Sequence, residues 1–186
     1  MGFINAAKVK KQVVALLSTS DQSVFYRCRI ESHQDTLYAH SGRQFYRDCL
    51  IYGTVDFIFG DSAVVIQNSR IVPYRPIEGN TNTITAQGKV CPCSNTGISI
   101  QNCVISSPEW DLTGGWLPWD QYVPVNINYI EFNNRGPGAN VAGRVQWKGV
   151  SARNSTREQA SRFTVRSLIN GDRWLPAIGV PFQLDL

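Results

Sequence analysis

Phe25-Tyr26-Arg27-Cys28-Arg29-Ile30 returns as Phe45-Tyr46-Arg47-Asp48-Cys49-Leu50-Ile51. Val65-Ile66-Gln67-Asn68-Ser69-Arg70-Ile71 follows, and then Ser99-Ile100-Gln101-Asn102-Cys103-Val104-Ile105. Each copy closes on a small or sulfur-bearing residue, one variable residue and an Ile. Successive copies are offset by 21, 20 and 34 positions. A period near twenty with one insertion marks a solenoid, in which each coil covers the apolar face that its neighbour cannot bury alone. The units are short and β-rich, alternate their side chains and end in Gly, Asn, Asp or Ser; no long stretch has helical periodicity. The pattern predicts an all-β parallel β-helix with Cys28, Cys49 and Ser69 stacked in one column. A β-sandwich also accommodates regularly spaced strands and is the second reading.

The repeat has a chemical consequence. In a β-helix, residues one coil apart stack at about 4.8 Å. Gln12, Gln34 and Asp56 are spaced by 22 and 22, and Asp35 and Asp56 by 21. Two glutamines and two aspartates therefore come together on successive coils. The plainer role for each is a turn cap or a stacked core amide.

Composition narrows the field. The 186 residues suit one domain spanning 1–186, and 42% hydrophobic residues suffice for a core. No apolar run approaches the roughly 18 residues of a membrane span. Val13-Val14-Ala15-Leu16-Leu17 follows three lysines but is too short for the core of a signal peptide, which needs about 7–15 residues. Met1 reads as the start of the chain and not as a targeting element. The net charge of +4 suits an acidic partner or plain solubility. The basic residues are scattered, which disfavours nucleic acid. Five cysteines show no metal spacing, and Cys91-Pro92-Cys93 is too tight for a zinc pair. Asn154-Ser155-Thr156 permits glycosylation of a secreted chain.

Around the Gln/Asp cluster the wording is distinctive. Gln12-Val13-Val14-Ala15-Leu16, Gln34-Asp35-Thr36-Leu37-Tyr38 and Gly53-Thr54-Val55-Asp56-Phe57-Ile58-Phe59-Gly60 occur in order, followed by Thr85-Ala86-Gln87-Gly88. Asn133-Asn134-Arg135-Gly136-Pro137-Gly138-Ala139 and Asn170-Gly171-Asp172-Arg173-Trp174-Leu175-Pro176 come later. In these segments the chain resembles the plant pectin methylesterases nearly end to end. The resemblance implies a right-handed parallel β-helix, secretion to the cell wall and demethylation of methyl-esterified homogalacturonan. It implies Asp56 as nucleophile, Asp35 as general acid and then base, and Gln12 and Gln34 as amide donors to the developing oxyanion. Two neighbouring carboxylates cannot both ionise easily, so one pKa should rise. Phe57, Trp116 and Trp119 are the candidates to line the sugar groove, with core packing the plainer role for each. Tyr38, Tyr46 and His33 read as structural, and Arg27, Arg47 and Arg70 as solvent-facing. No cofactor or metal is implied. Pectin is the implied partner, with a proteinaceous pectinesterase inhibitor as a second.

The chain departs from the family in four places. An LGRPW segment, whose Arg pairs with the nucleophile and whose Trp lines the groove, has no counterpart between Ile105 and Gly115. Arg75 and Arg144 stand on the wrong sides of the neighbouring motifs to replace it. Gly2-Phe3-Ile4-Asn5 resembles an internal coil, so the first coils lie outside this sequence. Asp61 replaces an Asn, and Ser69 replaces a Cys, which leaves Cys103 without its partner. The missing Arg and Trp imply little or no turnover, and set a non-catalytic pectin-binding protein, or a truncated gene product, beside the enzyme reading.

Overall fold

Each coil of the chain is built from three short strands separated by bends. The first coil contributes β1 (Gly2–Ile4), β2 (Leu16–Ser18) and β3 (Ser23–Tyr26). The second contributes β4 (Arg29–Glu31), β5 (Leu37–Ala39) and β6 (Arg43–Arg47). The third contributes β7 (Leu50–Gly53), β8 (Ile58–Gly60) and β9 (Ala63–Gln67), and the fourth β10 (Arg70–Pro73), β11 (Thr85–Gln87) and β12 (Gly97–Gln101). β13 (Val104–Ile105) opens a fifth turn. This computed structural model describes residues 1–7, 11–77, 81–107, 128–136, 139–153 and 155–186.

Among the described residues all strand pairs are parallel; the coils stack into three sheets, and a separate two-stranded sheet pairs Tyr129–Ile130 with Val150–Ser151. Sheet 1 has the order β1-β4-β7-β10-β13, sheet 2 the order β11-β8-β5-β2 and sheet 3 the order β12-β9-β6-β3. The architecture is a right-handed parallel β-helix. Right-handed crossovers follow from the twist of the strands.

The repeat read from the sequence is the register of sheet 1. Arg29 pairs with Leu50 and Leu50 with Arg70, so Cys28, Cys49, Ser69 and Cys103 form one column at the entry to that sheet. The column is bonded along its length: Cys49 N–H donates to Ser69 Oγ at 3.0 Å, and Ser69 N–H to Cys103 Sγ at 3.3 Å. Cys28, Cys49 and Cys103 are free thiols, and burial pushes the last two up to about 11. The residues preceding them, Arg27, Asp48, Asn68 and Asn102, all take left-handed conformations with φ of 49–52°. That conformation turns the corner from sheet 3 into sheet 1, and Asn and Asp tolerate it best.

Inside, Ile30, Ile51 and Ile71 stack in sheet 1, Leu37 and Ile58 in sheet 2, and Val64 and Ile66 in sheet 3, all fully buried. Tyr46 is structural as expected: its ring is buried and its hydroxyl donates to Gln44 Oε1 at 2.7 Å. Arg27 and Arg70 are exposed, but Arg47 is not a solvent-facing side chain. It is only 13% exposed, beside Asp48, and bonds Gln67 on the next coil. Cys91 and Cys93 are joined to each other as a disulfide in the exposed connection between β11 and β12.

The outer face of sheet 3 is covered from the C-terminal end of the chain. Two five-residue helices, α1 (Arg157–Ser161) and α2 (Val165–Ile169), start at Thr156 and Thr164 side-chain caps. Val165, Leu168, Ile169, Trp174 and Leu175 pack onto Phe45, Ala63 and Val65. This is why every residue of β9 is buried, both inward and outward. The helices are too short to show periodicity in the sequence. None of the described helices is long and apolar enough to cross a membrane.

Candidate active site

Asp35 and Asp56 occupy the same bend in successive coils, where the chain passes from sheet 1 into sheet 2. Leu16, Leu37, Ile58 and Thr85 are in register, so two residues earlier Val14, Asp35, Asp56 and Thr83 form a column. The bend is fixed by backbone bonds between coils: Asp35 N–H donates to Val55 O at 3.0 Å and Phe57 N–H to Thr83 O at 3.3 Å. Both aspartates are left-handed, with φ of 60° and 48°. Non-glycine residues in that region cost backbone energy and cluster at sites where a side chain must be aimed.

The two carboxyls differ in surroundings. Asp35 is 5% exposed. Burial raises its pKa first and the neighbouring Asp56 charge second, against the lowering effect of hydrogen bonds from the Gln12 and Gln34 side chains. Asp35 is therefore biased towards its protonated form. Asp56 is half-buried and held by one hydroxyl: Thr83 Oγ1 donates to its Oδ1 at 2.7 Å and accepts from its own N–H at 2.9 Å. Gln12 is exposed and Gln34 half-buried, and both side chains act to lower the Asp35 pKa. The structure thus brings Gln12, Gln34, Asp35 and Asp56 into one bend.

Phe57 is not in a groove. It is fully buried in the solenoid core. The left-handed Asp56 resets the alternation of the strand, so Phe57 and Ile58 both point inward. The outward position is the next one: Phe59 and Tyr38, three residues beyond each aspartate, are partly exposed and stack with ring centroids 4.4 Å apart. Sequence reading took Tyr38 as structural and passed over Phe59; the signal was the register of the two segments. Trp116 and Trp119 lie outside the described residues, as does Asn154 of the glycosylation sequon. Thr83 was also missed, because the long β10–β11 connection places it 27 residues after Asp56 and not 21.

The other departures have partners of their own. Arg144 is buried and forks onto Glu131. Asp61 accepts from Thr96 Oγ1 at 2.6 Å and from Gln87 Nε2 at 3.5 Å, tying both ends of the β11–β12 connection. The His33 ring lies 6.2 Å from that of Tyr74.

Comparisons with known proteins bear on the family and the fold. The Pectinesterase family model matches residues 1–113 and 111–172. The protein named "Probable pectinesterase/pectinesterase inhibitor 46" of Arabidopsis thaliana is 47% identical over 216 aligned positions, covering 100% of this chain and 38% of that protein. Pectinesterase 3 of Phaseolus vulgaris is 45% identical, with 100% and 37% covered. The chain thus spans less than two-fifths of these relatives. An alignment of 216 positions against 186 residues means that the relative carries residues this chain lacks. The two family matches overlap at 111–113, inside the stretch from Ile105 to Gly115 where the resemblance leads one to expect an LGRPW segment. Among solved structures, the pectin methylesterase from carrot superposes with a TM-score of 0.88 at 40% identity, covering 95% of this chain and 66% of that one. A pectin methylesterase from Aspergillus niger gives 0.69 at 26%, with 89% and 59% covered. A matched family model over most of the chain, relatives at this identity and the carrot fold make the chain a member of the pectinesterase family.

Proposed function

We propose that this chain acts on methyl-esterified homogalacturonan as a carboxylic-ester hydrolase, releasing methanol and leaving a galacturonate carboxylate. The observation that carries the reading is the stacking of a buried, raised-pKa Asp35 over an Asp56 whose carboxylate is already accepting a hydrogen bond. Asp56 attacks the ester carbonyl carbon. The tetrahedral intermediate collapses, and Asp35 delivers its proton to the departing methoxide. The resulting anhydride with Asp56 is opened by water, whose proton returns to Asp35, restoring both carboxyls. Gln12 and Gln34 turn their amides from Asp35 to the oxyanion as it forms. Tyr38 and Phe59 offer a sugar ring an apolar face; in the same reading Trp116 and Trp119 extend it.

The missing Arg bears on rate. Losing one partner of a buried charged pair costs about 3–5 kcal/mol. Expressed fully in the transition state, that is roughly 100- to several-thousand-fold. The expected result is slow methanol release from methylated pectin at pH 5 to 8, abolished in Asp56→Asn. Release near that of an intact pectinesterase would show the segment to be dispensable. No release, with retained binding to pectin, would favour the non-catalytic reading, which rests on the same missing segment. The setting consistent with this function is the plant cell wall, reached by secretion. A proteinaceous inhibitor is a further candidate partner, suggested by the inhibitor named in the Arabidopsis relative.

A further inference from the structure

We infer that Thr83 is the positioning residue for Asp56, and that its single hydroxyl proton selects Oδ2 as the attacking oxygen. This rests on Asp56 being the nucleophile. Thr83 is held rigidly before its side chain acts. Its N–H donates to Thr54 O at 3.1 Å and its carbonyl accepts from Phe57 N–H at 3.3 Å, so its backbone is fastened on both sides of the Asp56 bend. The hydroxyl then makes two bonds to one residue. It accepts the Asp56 N–H at 2.9 Å, which leaves its own proton pointing to Oδ1 at 2.7 Å. An amide and a carboxylate oxygen of the same residue are thereby tied through one oxygen, fixing the side-chain torsion as well as the left-handed backbone. Oδ1 gives one lone pair to this bond, which draws charge towards it and makes it the weaker nucleophile, so Oδ2 is the oxygen left to reach a carbonyl carbon.

This arrangement also explains how Asp56 is oriented without a guanidinium. Arg144, the buried arginine nearest in sequence to the missing segment among the described residues, is committed to Glu131. A hydroxyl aims a carboxylate but supplies no positive charge. Orientation is kept while charge compensation is lost, and the two effects separate in experiment.

The test compares Thr83→Val, which keeps the shape and removes the hydroxyl, with Thr83→Ser, which keeps the hydroxyl. Two readouts are taken: methanol release from methylated pectin, and hydrogen exchange of the Asp56 amide followed by NMR. In Thr83→Val kcat should fall about 10- to 100-fold, the range of a hydrogen bond to a charged group, with KM within about twofold. The Asp56 amide should exchange faster in that variant, and Thr83→Ser should restore both. A Thr83→Val protein with unchanged kcat, or with an unchanged Asp56 amide, overturns the inference. If the unaltered chain releases no methanol, the amide readout alone decides whether Thr83 holds Asp56, and it is the hydrolase reading that falls. If release depends on Asp56 but ignores Thr83, the hydrolase reading stands and the positioning role falls.

Discussion

Asp35 is the residue whose chemistry and stability pull in opposite directions. Its pKa is raised by burial and by Asp56, so the folded state binds its proton more tightly than the unfolded chain does. The sign follows directly: the contribution of Asp35 is most favourable below the unfolded carboxyl range and is lost as pH rises through its higher folded pKa. Asp35→Asn keeps the shape and removes the charge. It should stabilise the protein at pH 7 by about 1 kcal/mol, the usual gain when a functional carboxyl is neutralised, and by little at pH 3. Thermal melts at the two pH values check this; equal shifts at both would mean that charge is not the cause. The two aspartates and two glutamines were legible because spacing of 21–22 residues and wording coincided. Phe57 and Thr83 were misjudged or missed for physical reasons. A left-handed residue reverses the inward–outward phase within one strand, and an insertion in one connection breaks the period that finds partners by arithmetic.

At the scale of the strand, close stacking of coils sets limits that side-chain chemistry does not. Gly60 closes β8 at φ +123°, and a Cβ there would lie 2.0 Å from the Ala39 carbonyl oxygen of the coil below. Neither the torsion nor the space admits an L side chain. Gly60→Ala should cost at least about 2 kcal/mol, with the left-handed penalty alone worth about 1–3. Urea unfolding measures it, and a loss under 0.5 kcal/mol would mean that the coils can spread. The strands themselves were easy to read, since each repeats the same inward residues. The short helices α1 and α2 were not, because five residues complete barely more than one turn and their stability comes from docking on sheet 3.

The whole molecule depends on that docking. Without the C-terminal segment, Phe45, Ala63 and Val65 would face water. Trp174 is 6% exposed and its indole N–H bonds Ile169 O at 2.9 Å. Trp174→Ala should cost about 3–5 kcal/mol, read as a lower urea midpoint; a change below 1 kcal/mol would show the segment to be a loose appendage. The overlap of the two family matches at 111–113 lies beyond the fourth coil, and Asp35 and Asp56 stand on the second and third. That geometry has a mechanical side. In the three sheets of the coils the ladder bonds run along the solenoid axis, so axial tension falls on the boundaries between coils. The aspartates stand on opposite sides of one such boundary. Pulling it open would part the acid from the nucleophile while every strand within each coil stayed whole, so opening that one boundary is enough to take the site apart.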